Sequence, residues 1–198
     1  TTTLSIQGYD RTTTNAFPGA QATVTATFSG TVDDPADSIV FSELMFDPVV
    51  PGAEYVELYN RSTTTAFDLS DWWINGIDYT FPTGSIILPR TYLVLVRDAH
   101  ACIFAYGTNT PVFGQYKGQL QGNGETITLS RPEPPHTTNF EWVVVDKVRY
   151  EGVAPWSTNA SNTGSSLQLI DAQQDNSRPL NWRSDYIPAT YTAYIPAV

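Results

Sequence analysis

Apolar and polar residues alternate with a period of two along most of the chain. In residues 22–30 (ATVTATFSG), Val24, Ala26 and Phe28 fall on one side and threonines on the other. Seven further stretches are rich in β-branched and aromatic residues: SIVFSELMF at 38–46, EYVELYN at 54–60, SIILP at 85–89, TYLVLVRD at 91–98, ETITLSR at 125–131, FEWVVVDKVRY at 140–150 and SSLQLID at 165–171. We expect each to form a strand, because successive side chains of a strand point to opposite faces.

Turn-forming segments separate these strands. They include DPVVPG, FPTG, QGNGE, RPEPP and TNASNTGS, which combine proline and glycine with short polar residues. A helical period hardly appears, and the single loop with room for a helical turn is DAHACIFAYG at 98–107. Many short strands without intervening helices favour an antiparallel sandwich or barrel.

Composition excludes several classes of function. The formal net charge is -10 and only two of the ten basic residues are lysine, so no basic stripe could hold a phosphate backbone, and we expect no nucleic-acid partner. No apolar run approaches the roughly 20 residues of a membrane span, so we expect no membrane insertion. A charged fraction of only 15%, with abundant neutral hydroxyls and amides, is typical of extracellular β-proteins. Cys102 lies in the apolar stretch ACIFAY, where we expect a buried side chain.

The ordered set of segments resembles a known family. In sequence order these are SIVFSELMFDP, EYVELYNRS, AFDLSDWWINGIDYTFPTGSIILPRTYLVLVRD, GNGETITLS, VVDKVRYEGVAPW, GSSLQLID and NWRSD. The set is similar to the bacterial lamin-tail domain. The resemblance implies an all-β, immunoglobulin-like antiparallel β-sandwich over residues 38–185, of a kind appended to secreted and cell-surface proteins.

Both ends of the chain lie outside this resemblance. Residues 1–37 hold two strand-like pieces and a linker, and residues 186–198 (YIPATYTAYIPAV) form an apolar tail with alternating aromatics. We expect both termini to contribute extra strands. These strands either pack on their own sandwich or add to the sheet edge of a neighbouring subunit, which would build a homo-oligomer or a filament.

Four carboxylates occur close together in SELMFDPVVPGAEYVELYN at 42–60. Strand parity separates Glu54, which shares a face with Val56 and Leu58, from Glu57 on the opposite face. Parity also places Glu43 beside Ile39, Phe41 and Met45, and burial of an acid among such residues costs several kcal/mol unless it is paired.

Two kinds of partner for these acids stay open. One is a structural ion pair between Glu43 and Arg183, with no cofactor. The other is a Ca²⁺ site formed by Glu43, Asp47, Glu54 and Glu57 with loop carbonyls, because hard oxygen ligands suit calcium.

Aromatic residues raise a further alternative. In DLSDWWI we expect one tryptophan in the core and the other partly exposed, since neighbouring side chains of a strand point oppositely. Trp72, Trp73, Trp142 and Trp156 are the candidates for a ligand-stacking platform.

Function follows from these patterns and from the resemblance. We find no catalytic set, because His100 and His136 lie in different loops and no nucleophile motif is present. We therefore expect a non-catalytic structural or interaction module, extracellular or on the cell surface, whose partner is a protein, either itself or another surface protein. A glycan-binding accessory domain of a secreted enzyme is the alternative.

Overall fold

A computed structural model describes residues 2–8, 22–28, 33–135, 138–161 and 163–184. Contacts divide the chain into two compact units, with the second beginning at Asp33. The first contains an antiparallel hairpin of β1 (Thr2–Gly8) and β2 (Ala22–Phe28), in which Thr2 lies opposite Phe28. The strand predicted for residues 186–198 lies outside the described residues.

The second unit is built almost entirely from strands. Two short helices occur in it, α1 (Pro35–Ser38) and α2 (Ala99–Tyr106). The strands are β3 (Ile39–Met45), β4 (Tyr55–Asn60), β5 (Phe67–Asp68), β6 (Trp73–Asn75), β7 (Tyr79–Thr80), β8 (Ile86–Ile87), β9 (Tyr92–Val96), β10 (Val112–Gln115), β11 (Gly124–Glu133), β12 (Glu141–Glu151), β13 (Leu167–Leu169) and β14 (Trp182–Arg183). Single 3₁₀ turns span Thr158–Ala160 and Pro179–Asn181.

These strands form two main sheets. One has six strands in the order β10-β9-β4-β3-β13-β14, and the other has four in the order β12-β11-β6-β7. All pairs in them are antiparallel except β10 with β9. A small ladder joins β5 to β8. The predicted all-β immunoglobulin-like sandwich is confirmed.

The main core lies between the two sheets. Phe41, Leu58 and Leu95 of the six-stranded sheet and Leu129 and Tyr150 of the four-stranded sheet are buried in one apolar cluster. Alternation along each strand supplies these side chains to a single face, and burial of their apolar surface stabilises the sandwich by roughly 25 cal/mol per Å².

A bulge in β3 reverses the parity expected from the sequence. Phe41 lies opposite Leu58, but the register shifts at Ser42, so Glu43 lies opposite Glu57. Leu44 consequently points into the main core with Phe41, and Glu43 points to the outer face of the six-stranded sheet. The expectation that Glu43 shares a face with Phe41 was therefore wrong, because an extra residue in a strand shifts every later side chain to the other face.

Helix α2 covers part of that outer face. Asp98 caps its start by accepting hydrogen bonds from the backbone N–H groups of His100 and Ala101. Cys102 is fully buried in a second apolar cluster with Ala53, Val94 and Val96. Within the described residues, neither helix has the length and apolar character that crossing a membrane requires.

Candidate functional site

Two of the predicted acids lie side by side on the outer face of the six-stranded sheet. Glu43 of β3 is directly opposite Glu57 of β4. Glu43 Oε1 accepts hydrogen bonds from Tyr55 Oη at 2.5 Å, Ser166 Oγ at 2.5 Å and Gln168 Nε2 at 3.2 Å. Three neutral donors, one from β4 and two from β13 and its N-terminal end, therefore hold the Glu43 carboxylate.

The surroundings of Glu57 disfavour its ionised form. Three features act on the Glu57 carboxyl group. They are its burial, the adjacent Glu43 carboxylate, and a hydrogen bond from Ser42 Oγ at 2.8 Å. Burial and then repulsion by Glu43 raise the pKa of Glu57 to about 8, although the Ser42 bond favours the ionised form. Glu57 is therefore largely protonated at neutral pH. Burial and Glu43 also raise the pKa of Tyr55 well above its usual range, which keeps that phenol a donor.

Glu54 lies apart from this pair and has an arginine partner. Its Oε1 is 2.6 Å from Nη1 of Arg97, and its Oε2 accepts a hydrogen bond from the backbone N–H of Leu120 at 3.1 Å. Val56 and Leu58 point into the core as parity predicts, so Glu54 and Glu57 lie on opposite faces of β4. Glu54 is thus a buried structural anion.

The structure does not bring the four acids to one point. Asp47 lies in a bend after β3, Glu54 is bound to Arg97, and Glu43 and Glu57 form the outer pair. Within the described ranges no group of three or more acidic, histidine or cysteine side chains could hold a metal ion. The calcium site of Glu43, Asp47, Glu54 and Glu57 stays a prediction.

Arg183 lies in the same row of the sheet as Glu43. Gln168 of β13 is opposite Glu43 on one side and Arg183 of β14 on the other. Two strand spacings of about 4.8 Å therefore separate the backbones of Glu43 and Arg183. Arg183 is exposed, and the ion pair between it and Glu43 also stays a prediction.

The candidate stacking tryptophans divide into a buried and a surface pair. Trp72 and Trp156 are 6% and 5% exposed, so neither presents a ring to a ligand. Trp73 and Trp142 lie together on the outer face of the four-stranded sheet, with ring centroids 5.6 Å apart and planes inclined by 43°. The expectation of one core and one partly exposed tryptophan in the Trp72–Trp73 pair is confirmed.

Neighbouring apolar residues that sequence reasoning did not select enlarge this surface. Phe140 packs edge-on against Trp142 with a centroid separation of 4.9 Å. Val143 and Val144 follow on β12 and are 38% and 53% exposed. We call Trp73, Phe140, Trp142 and Val144 the aromatic surface. The uninterrupted run WVVV resembles a strand buried on both faces, so the sequence carried no sign of this exposure.

Asp146 is a second polar feature that sequence reasoning missed. Its Oδ2 accepts hydrogen bonds at 2.7 Å from the backbone N–H of Phe41 and from Nδ2 of Asn176. Burial raises the pKa of Asp146 to about 6 despite these bonds. It lies in a polar concavity of about 380 Å³, with Arg61 and Gln173 among the other lining residues.

Cysteine and histidine are the residue types whose side chains most often act as nucleophiles or bases near neutral pH. Cys102 is fully buried, and burial raises the pKa of its thiol to about 12, so it is protonated at neutral pH. His100 is exposed at the start of α2, and His136 lies outside the described residues.

Comparison with protein families and with individual proteins gives one match. The family model of the lamin tail domain, an immunoglobulin-like structural domain, matches residues 33–175. Neither the curated proteins nor the solved structures include a match to this chain. Because the matched segment spans well over half of the sequence and contains both main sheets except β14, this chain belongs to the lamin tail domain family.

Proposed function

We propose that this chain is a non-catalytic structural and interaction module that acts outside the cell or on its surface. The aromatic surface at the beginning of β12 carries the proposal. Trp142 and Val144 are each more than two-fifths exposed on a strand that has one neighbour, β11, among the described residues. A large exposed apolar patch next to an unpaired strand edge is the kind of surface that binds another protein.

The interior of the domain supports a structural role. The acids of the six-stranded sheet are held in internal bonds, Glu54 by Arg97 and Glu43 by Tyr55, Ser166 and Gln168. Such groups stabilise the fold and are not presented to a substrate. The buried, protonated Cys102 supports the same conclusion.

The extracellular setting and the assembly mode rest on the sequence. The low charged fraction of 15% and the net charge of -10 fit a surface exposed outside the cell. Strand addition by the two termini would join modules into larger assemblies, since an added strand gains main-chain hydrogen bonds along a sheet edge. The β1–β2 hairpin supplies one such element.

Photo-crosslinking in cells tests the proposal. A photoreactive phenylalanine replaces Trp142 in one variant and Val153, which is 60% exposed, in a matched control. We expect crosslinked protein from position 142, whether another surface protein or the same chain, and little from position 153. Equal yields from both positions would contradict the assignment of this surface.

A glycan-binding role is the second candidate, favoured by the contact between Trp73 and Trp142. Sugars stack on exposed aromatic faces, but the 43° inclination gives these two rings no common plane. Binding to a glycan array that is lost in Trp142→Ala and kept in Trp156→Phe would establish this role instead. Trp156 is the suitable control because it is buried.

A further inference from the structure

We propose that the partner of the aromatic surface is a second copy of this chain, and this inference rests on the proposed function. Residues 140–144 of the two copies pair as antiparallel strands related by a two-fold axis. Trp142 lies opposite Trp142 of the second copy, so the two four-stranded sheets join into one continuous sheet.

The available edge of β12 is restricted to its first part. Residues Glu141, Trp142, Val143 and Val144 are all exposed, whereas Val145 and Val148 are buried. From Asp146 onward, β12 lies against other elements, because Asp146 binds the backbone of Phe41 and the strand contacts β3 and α1. Among the described residues no strand pairs with this edge, so a partner strand has room at residues 140–144.

The pairing of β12 with β11 orients the backbone of this edge. Trp142 lies opposite Pro132, and Val144 lies opposite Ser130. Because Pro132 has no N–H to donate, we assign the Trp142–Pro132 position to the non-hydrogen-bonded kind. The N–H and C=O groups of Trp142 and Val144 then point away from β11, where a new strand can bond to them.

The side chains of this segment complement themselves in the proposed register. Phe140, Trp142 and Val144 alternate along one face, and Trp73 packs beside them through its contact with Trp142. Antiparallel pairing at Trp142 places Phe140 of each copy opposite Val144 of the other. The two aromatic surfaces therefore merge into one apolar area, and aromatic and β-branched pairs stabilise such cross-strand contacts.

The opposite face of the pairing segment carries charged residues. Glu141 is the one charged residue within residues 140–144, and the register places it opposite Val143 of the second copy. Val143 is itself opposite Arg131 on β11. Each Glu141 thus lies in a row with Arg131 of the other copy, but Arg131 already pairs with Glu133 at 2.6 Å, and Glu133 lies opposite Glu141 in its own chain. This row therefore adds little attraction, and the apolar face carries the association. The net charge of -10 on each chain opposes association, so screening by salt should strengthen the dimer.

Sedimentation equilibrium of the full 198-residue chain tests the proposal. A short edge interface of this kind supports weak association, and we expect a dimer with a dissociation constant in the micromolar range that tightens between low and moderate salt. Val144→Lys should weaken the dimer at least tenfold, because a lysine on an edge strand blocks pairing. Val153→Lys, at a comparably exposed valine, should leave it unchanged.

A cysteine at the two-fold axis tests the register. Paired residues at a hydrogen-bonded antiparallel position have Cα atoms about 5.5 Å apart, within the range of about 4.4–6.8 Å that disulfides span. Trp142→Cys should therefore form a disulfide-linked dimer on oxidation, and Val153→Cys should not. Native Cys102 does not compete, because it is buried.

Three results would overturn the inference. They are a monomer at every concentration and salt, a dimer that Val144→Lys does not weaken, and a dimer that Trp142→Cys fails to trap. The melting temperature of each variant shows that it is folded. A monomer that still crosslinks to a different protein through position 142 would overturn the self-pairing and leave the proposed function standing.

Discussion

The carboxylate of Asp146 accepts a hydrogen bond from the backbone N–H of Phe41 at 2.7 Å, although the two residues are 105 positions apart. Phe41 lies beside the bulge of β3, where the ladder to β4 is interrupted. A side chain from β12 therefore satisfies a backbone donor of the opposite sheet. The side-chain amide of Asn176 donates a hydrogen bond to the same oxygen of Asp146. The backbone carbonyl of Asn176 accepts a hydrogen bond from the indole N–H of Trp182. Asp146 thus connects both sheets to the segment before β14.

Removal of the Asp146 carboxylate should be costly. Asp146→Ala leaves the Phe41 N–H without its acceptor and removes the shorter of two hydrogen bonds of the Asn176 amide, which keeps the Phe41 carbonyl at 3.4 Å. An unsatisfied buried donor costs about 1–3 kcal/mol. We expect the free energy of unfolding to fall by about 3 kcal/mol in urea titrations. Lys147→Ala, at the next and exposed residue, serves as the control and should change it by less than about 0.5 kcal/mol. Equal effects of the two substitutions would contradict the role of Asp146.

The ion pair of Glu54 and Arg97 should show how strongly burial matters. Arg97→Met leaves the Glu54 carboxylate, whose side chain is 7% exposed, without its partner, and we expect a loss of about 3 kcal/mol. Arg178→Met breaks the ion pair of Arg178 with Asp175, in which the arginine side chain is 75% exposed and the aspartate side chain 52%. We expect this substitution to lower the free energy of unfolding by less than about 0.5 kcal/mol. Glu54→Gln combined with Arg97→Met should recover much of the loss, because the buried charge is then gone. Chemical denaturation of all four proteins measures these differences.

Period-two alternation predicted most of the longer strands and the sorting of β4 side chains, but it did not predict β10. Val56 and Leu58 enter the core while Glu57 faces the outside, and Trp72 is buried while Trp73 reaches the surface. These outcomes follow from the alternation of side chains along a strand, so they can be predicted from one sequence.

The interruptions of the alternation could not be predicted. The bulge at Ser42 moves Glu43 to the outer face, and a second register shift in the β11–β12 ladder lies next to Asp146. A bulge depends on which strands pair, and the partners of Asp146 lie 105 and 30 residues away. The ion pair of Glu54 with Arg97 likewise depends on the pairing of β4 with β9, which the sequence pattern does not specify.

Calcium should have no effect on the stability of the fold. Glu54 is bound to Arg97, and Glu43 is bound by Tyr55, Ser166 and Gln168, so these carboxylates already have partners. We expect the melting temperature to be the same in EDTA and in saturating CaCl₂. A rise of several degrees with calcium that disappears in Glu43→Gln would establish the metal site that the sequence suggests.

Asn60 should tolerate substitution poorly because it is fully buried at the end of β4. Its Nδ2 donates to the carbonyls of Thr65 at 2.9 Å and Leu88 at 3.0 Å, and its Oδ1 accepts from the N–H of Ser62 at 3.0 Å. Asn60→Ala should cost about 2 kcal/mol by leaving these groups unpaired.

Asn60→Asp should cost more, about 4 kcal/mol, although it is nearly isosteric. It places a carboxylate against carbonyl oxygens in a buried site, where an unpaired charge is unfavourable. Asn75→Asp, at an exposed position, is the control and should be nearly neutral. Thermal and urea unfolding would rank the variants, and a smaller loss in Asn60→Asp than in Asn60→Ala would contradict the hydrogen-bond assignment.

The Glu43–Glu57 pair should make the domain less stable as the pH rises. The pKa of Glu57 is raised from its ordinary value near 4.5 to about 8 in the folded state, chiefly by burial and then by Glu43. The folded state therefore retains a proton that the unfolded state has released. The stabilising contribution of this proton is complete below about pH 4.5, decreases as the pH rises, and is lost above about pH 8.

Glu57→Gln is neutral at every pH, so it should keep its stability over this range and exceed the wild-type protein by on the order of 2 kcal/mol at pH 9. Glu151→Gln removes a carboxylate that pairs with Arg149 near the surface and should retain the wild-type slope. Urea titrations at intervals from pH 5 to pH 9 measure the slopes, and parallel curves for wild type and Glu57→Gln would show that folding does not raise the pKa of Glu57.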